Sequence, residues 1–170
     1  MRDSDNMKTQ KGFDITQLQS IRTFKQQEIP DKVLQQIFEA GRHTPTAHNV
    51  QPWQFIVVTD PIIKKELAAN AKFVEDAAIV IVGCGDPSES PRWYQLEVAM
   101  ALQSMVVTAW INGIGACWID VRPNEAKVRE ILKIPNQYPI IASVALGYPA
   151  AIPELAWKRP IDEVFHYNQF

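Results

Sequence analysis

A chain of 170 residues is long enough for one hydrophobic core, since a globular chain of that size buries roughly 70% of its unfolded surface. Hydrophobic residues at 46% and charged residues at 21% exclude wholesale disorder and collagen-like or coiled-coil architectures. A net charge of −2 lacks the basic excess of a nucleic-acid binder, and the seven glycines never complete a G-x-G-x-x-G phosphate loop.

Taken in chain order, residues 1–13 are polar and aperiodic and read as a flexible N-terminal arm, followed by a single domain over 14–170. The arm has no apolar leader segment, which predicts a cytoplasmic protein. A first helix is expected within ITQLQS, ending near Ile21 and Arg22. Val33, Leu34, Ile37 and Phe38 form the stripe of an amphipathic helix that starts at Pro30 and Asp31 and ends or loosens at Gly41. RHTPTAHNVQP is a polar loop feeding a β-rich run, WQFIVVT. IIKKELAANAKF predicts a short helix and DAAIVIVGC a strand covered on both faces. WYQLEVAMALQSMVVTAWING is apolar around most of its circumference, so a central helix buried on nearly all sides is expected, capped by Asn112 and Gly113. Gln103 and Ser104 interrupt its longest apolar run, which argues against a membrane span. IGACWI reads as a strand, PNEAKVREILKI as a helix and PIIASVALGYP as a last core strand. The tail after it is apolar without period and is expected to wrap a neighbour. The order of elements predicts an α+β fold, a mixed β-sheet sandwiched by helices.

Few side chains suggest covalent or metal chemistry. Cys84 and Cys117 sit inside apolar runs and read as buried, reduced core residues, and His43, His48 and His166 lack metal-ligand spacing, so no metal site is expected. No nucleophile-elbow, Walker or zincin motif occurs. What stands out is TPTAHNVQPW, where Thr44, Thr46, His48, Asn49 and Gln51 crowd amides and hydroxyls between two prolines, with Trp53 anchoring the exit. Such a loop suits a planar, amide-bearing heterocycle such as the pyrimidine edge of a flavin. From the residues alone, a turn whose polar groups satisfy its own backbone is the commoner use of such a loop.

The blocks SIRTF, EIPDKVLQQIFEAG, TPTAHNVQPWQFIVV, GIGACWI, LGYPA and KRPIDEVFHY, in that order over residues 15–170, resemble the flavin-dependent nitroreductase family. The resemblance implies a homodimer that binds FMN at its interface, with the C-terminal tail wrapping the partner. It also implies ping-pong hydride transfer from NADH or NADPH to a nitroaromatic, quinone or similar electron-poor acceptor, with no side chain required as catalytic acid or base. In the family's basic phosphate motif Ser20 and Arg22 match, whereas Leu18 and Gln19 stand where the motif is cationic; Lys158 and Arg159 match a second basic pair. Pro45, Thr46, Asn49 and Gln51 fall on flavin-lining positions that reach the partner's cofactor. Asn70 matches a pyrimidine-contacting amide, and Ile119 and Asp120 occupy the stretch whose backbone N–H approaches the reactive edge of the ring. Trp93 and Tyr94 fall where aromatics roof the substrate pocket. Two alternatives stand beside this reading: a flavin-binding dimer with little or no turnover, and a specialised flavin reaction such as reductive dehalogenation or flavin fragmentation.

Overall fold

The computed structural model describes residues 14–68 and 71–170, so the expected N-terminal arm lies outside the described residues. Its chain order is α1 (Asp31–Arg42), β1 (Trp53–Val58), α2 (Pro61–Leu67), α3 (Phe73–Asp76), β2 (Ile79–Gly85), α4 (Tyr94–Ile111), β3 (Gly115–Ile119), α5 (Glu125–Leu132) and β4 (Ile140–Gly147). The strands form one sheet in the order β1-β2-β4-β3. Every neighbouring pair is antiparallel, and the parallel component expected of a mixed sheet is confined to an isolated bridge between Ser20 and Ala116.

The alternation of side chains along a strand divides the core in two. All seven residues of β2 are buried. Val80, Val82 and Cys84 face one layer, packed with Val74 of α3 and Val128 of α5. Ile79 and Ile81 face the other, packed with Ile37 of α1 and Val98, Ala101 and Leu102 of α4. Helices therefore cover both faces of the α+β sheet. Desolvation beside β2 pushes the Cys84 thiol up to about 11, and burial likewise raises that of Cys117.

Local chemistry sets the ends of these elements. Asp60 caps α2 by accepting the Ile62 N–H (2.7 Å) and the Ile63 N–H (3.2 Å), with Pro61 in the first turn. α4 ends as expected at Asn112 and Gly113. Gly113 takes φ 78°, its N–H bonds the Trp110 carbonyl, and the Ile114 N–H returns to Ala109, the two bonds of a Schellman cap.

Three expectations are corrected. The helix predicted in ITQLQS is a single 3-10 turn, Ile15–Gln17. Beyond it the chain is extended because the outer edge of β3 takes it as a partner: Ile21 N–H bonds the Ala116 carbonyl at 2.8 Å and the Ile21 side chain is fully buried. Gly41 does not end α1, which runs through it to Arg42; the missing Cβ makes room for Met105 of α4. α4 is not buried all round. Leu96, Met100 and Ile111 are exposed on an outward stripe with Gln103, because α1 and the sheet cover only the opposite side of this helix.

A Cβ at Gly115 would lie 2.7 Å from Ile21, a stiff β-branched side chain, so Gly115→Ala should destabilise the fold by about 1–3 kcal/mol. Denaturant unfolding should show a smaller penalty for the same change in an Ile21→Ala background. In the folded protein at neutral pH, Cys84 and Cys117 should stay unlabelled by iodoacetamide, then both react once urea unfolds the chain.

Candidate functional site

The polar loop between α1 and β1 is fastened at its start by Thr44. That buried side chain reaches the Ala40 carbonyl at 3.2 Å and the Ser104 hydroxyl of α4 at 3.0 Å. Its far end enters the core through Trp53, while the Pro52 carbonyl accepts the Asp86 N–H at 2.7 Å. Between these ends the chain makes a 3-10 turn, Ala47–Asn49, in which His48 (φ 53°) and Asn49 (φ 58°) are left-handed, followed by Gln51 (φ 52°). Left-handed residues that carry a Cβ are strained and need surrounding bonds to hold them. Thr46 provides two of these, its carbonyl accepting the Asn49 N–H (3.1 Å) and its hydroxyl the Gln51 N–H (3.1 Å). The Gln51 amide donates to the Asn49 carbonyl at 3.0 Å. Both readings of the loop thus have a basis: Thr46 and Gln51 satisfy the turn, while the exposed Asn49 amide makes no hydrogen bond with the described residues. Pro45 is exposed beside them.

Across from the turn, Trp93 is half exposed. It lines a pocket of about 220 Å³ with Ala47, His48, Val50, Glu89 and Arg92. The Tyr94 ring instead packs against Gly85, and its hydroxyl accepts from the Gln95 amide at 3.2 Å.

A second group of predicted residues collects around β3. Asp120, just past the strand, lines an open cleft of about 600 Å³ with Gln95, Trp118, Ile140, Ile141 and Ala142. Ile119 and Asp120 also line a small pocket of about 30 Å³ with Leu67 and Ala71. Those two residues bracket the segment holding Asn70, which lies outside the described residues. Ser20 and Arg22 run along the outer edge of β3, both exposed. Their hydroxyl and guanidinium sit beside the Cys117 thiol and pull its pKa down, against a larger upward push from burial. Leu18 is half-buried against the core. The Gln19 amide donates to the Pro153 carbonyl at 2.9 Å, so this side chain holds the root of the tail. Lys158 and Arg159 are exposed, and Arg159 engages Glu163 through its side-chain oxygen (3.2 Å) and carbonyl (2.8 Å).

Strand register relates the two groups. Trp53 pairs with Gly85, Cys84 with Ile140, and Ser143 with Ile119, so the turn before β1 and the residues after β3 lie at one end of the sheet on opposite edges. Three strand spacings separate those edges, about 14 Å.

One residue that sequence reasoning passed over belongs here. Glu97 of α4 is 4% exposed, and its Oε1 accepts the Ala47 N–H at 2.7 Å. The signal was a lone carboxylate within the apolar run of the central helix. Among the described residues, no three His, Cys, Asp or Glu side chains cluster as a metal site would require, and no helix is long and apolar enough to cross a membrane.

The donor set fits FMN: an outward amide in a constrained turn, an open cleft walled by an indole, and an exposed guanidinium beside a hydroxyl. Comparison with known proteins points the same way. A protein of Archaeoglobus fulgidus named for NADH dehydrogenase and NAD(P)H nitroreductase activity is 34% identical over 139 residues, covering 76% of this chain and 80% of its own. The solved structure of an FMN-dependent nitroreductase from Clostridium difficile superposes with a TM-score of 0.83 at 26% identity, covering 94% of this chain and 99% of that one. An NADPH:FMN oxidoreductase from Vibrio harveyi, solved in complex with NAD+, gives 0.84 at 28% identity, covering 92% and 76%. The Nitroreductase family model matches residues 15–79 and 64–148, and the chain belongs to that family.

Proposed function

We propose that this chain is an NAD(P)H-dependent flavin oxidoreductase working as a homodimer. Each FMN lies between the β3 edge of one chain and the Pro45–Gln51 turn of a second copy. The observation that carries this reading is the split donor set. The Pro45–Gln51 turn and the Ile119 and Asp120 stretch lie on opposite edges toward one end of the sheet, about 14 Å apart across its strands and out of hydrogen-bond reach of a single ring edge, whereas Ser20 pairs with Ala116 nearer the other end. The names of the Clostridium and Vibrio relatives, with FMN in both and a nicotinamide nucleotide bound to the second, support the same cofactors here. Bound FMN supplies the redox chemistry, accepting hydride from NADH or NADPH and passing it to a nitroaromatic, quinone or similar acceptor.

The protein's part is to hold and orient. Thr46, Asn49 and Gln51, with Asn70, offer amide and hydroxyl groups to a pyrimidine edge that both donates and accepts. The backbone at Ile119 and Asp120 lies along the reactive edge, and Trp93 lies over the acceptor with Tyr94 behind it. Arg22 and Ser20 hold the phosphate, joined by Lys158 and Arg159. Leu18 and Gln19 add no charge there, and the Gln19 amide is already committed to Pro153.

Assembly follows from exposed apolar surface. Residues 150–170 are all exposed, with Trp157 at 78% and Tyr167 at 89%, and the α4 stripe of Leu96, Met100 and Ile111 is bare. Surface of this kind is a partner's footprint. The tail wraps the second copy, and the α4 stripe is covered by it.

Purified protein equilibrated with FMN should be yellow, retain about one flavin per chain, and bleach under anaerobic NADH or NADPH. A colourless protein would sink the proposal, while a yellow one with no menadione- or nitroaromatic-dependent oxidation of NAD(P)H would favour a binding dimer without turnover. Arg22→Ala should weaken FMN binding about tenfold or more by fluorescence titration; an unchanged constant would place the phosphate elsewhere. Sedimentation should show a dimer for the full chain, and a shift toward monomer when the chain stops after Ala150.

A further inference from the structure

Glu97 is the one buried carboxylate among the described residues, and the proposed chemistry gives it no task. Its Oε2 is buried without a hydrogen-bond partner. The Ala47 N–H on Oε1 is therefore its single compensating contact, short and charge-assisted at 2.7 Å. A carboxylate buried with so little compensation is unfavourable for stability alone, and an apolar side chain would pack α4 as well.

The position of that bond explains what it does. From Pro45 to Gln51 the other hydrogen bonds among the described residues stay within the loop: Asn49 to Thr46, Val50 to Ala47, and the two made by Gln51. Three left-handed residues within four positions would relax if the turn were free to move. Glu97 fixes it from outside, and α4, the longest helix and packed on both α1 and the sheet, is a rigid base for the clamp.

We propose that Glu97 is a positioning residue. Its carboxylate clamps the Ala47 N–H and holds the Thr46–Gln51 turn in the conformation that presents Thr46, Asn49 and Gln51 to the flavin. This rests on the reading of the turn as a flavin wall, and the test below separates the two.

In full-length protein, Glu97→Ala removes the acceptor, Glu97→Gln keeps a carbonyl oxygen in its place, and Ala47→Pro removes the donor. Ala47 opens the 3-10 turn after an extended Thr46 (φ −131°, ψ 157°), a position that suits proline. In FMN-free protein, amide exchange across residues 46–51 should accelerate about tenfold or more in Glu97→Ala, with the rest of α4 unchanged, and Glu97→Gln should stay close to wild type. FMN titration should show a parallel loss of about tenfold or more for Glu97→Ala and for Ala47→Pro, with the double variant no worse than either. Unchanged exchange in the turn overturns the clamp, as do additive losses in the double variant. Accelerated exchange with undiminished FMN affinity overturns the link to the cofactor. A wild-type protein that takes up no FMN overturns the flavin reading itself, whatever the exchange data show. Should Glu97→Ala fail to fold, Ala47→Pro alone carries the same outcomes.

Discussion

The complete burial of β2 is the constraint from which the rest of the architecture follows. A strand with all seven residues out of water needs a helical layer on each face, and its alternating side chains divide the core between them. Helices thereby cover β2 on both faces. Polar groups that are to meet a small molecule are driven to the rim of the sheet, where backbone turns emerge from the core. At one end of this sheet the rim holds the turn before β1, the start of α4 and the residues after β3, each lining an open pocket or cleft.

The same economy leaves a single chain unfinished. α4 has one side packed on α1 and the sheet and another carrying Leu96, Met100 and Ile111 into solvent. The tail adds the exposed Trp157, Phe165, Tyr167 and Phe170 and no core of its own. Apolar area of that extent is the surface that the proposed homodimer would bury. In the proposed homodimer, a site whose donors stand on opposite edges of the sheet would gain its second wall in the same event, joining cofactor retention to association.

Much of this was legible in the sequence. Periodicity located α1, a long run apolar on nearly every side located α4, unbroken apolar runs located β2 and β4, and Asn112 and Gly113 marked the helix cap. The errors share a cause, which is that each required knowing a neighbour. Leu18 to Ile21 carry helix-compatible side chains, yet the unpaired edge of β3 outweighs that weak local preference. Gly41 reads as a breaker until Met105 is seen to need its space. Apolarity around α4 does not say which side a second chain would cover. In the turn, the polar residues were visible, but left-handed geometry at His48, Asn49 and Gln51 was not, because none is a glycine. Glu97 was visible as a lone acid in an apolar helix, and only its 2.7 Å bond to Ala47 gives it meaning.

The segment that carries Arg22 shows how closely the parts depend on one another. It lies between two neighbours. On one side Ser20 bridges Ala116 and the Ile21 N–H bonds that residue's carbonyl. On the other, the Lys25 N–H bonds Tyr148, the Ala150 N–H bonds Thr23, Phe24 bridges Pro149, and the Gln19 amide holds Pro153. The strip is thus stitched to the sheet along one edge and to the root of the tail along the other. In the proposed dimer, a tail drawn across a second chain would bear on the backbone that carries the Arg22 guanidinium. Gln19, a departure from the cationic motif, takes part in this arrangement: it brings no charge, and its amide holds the tail where it leaves the domain. Under the proposed function, association through the tail and anion binding through Arg22 would be joined by this one extended strip.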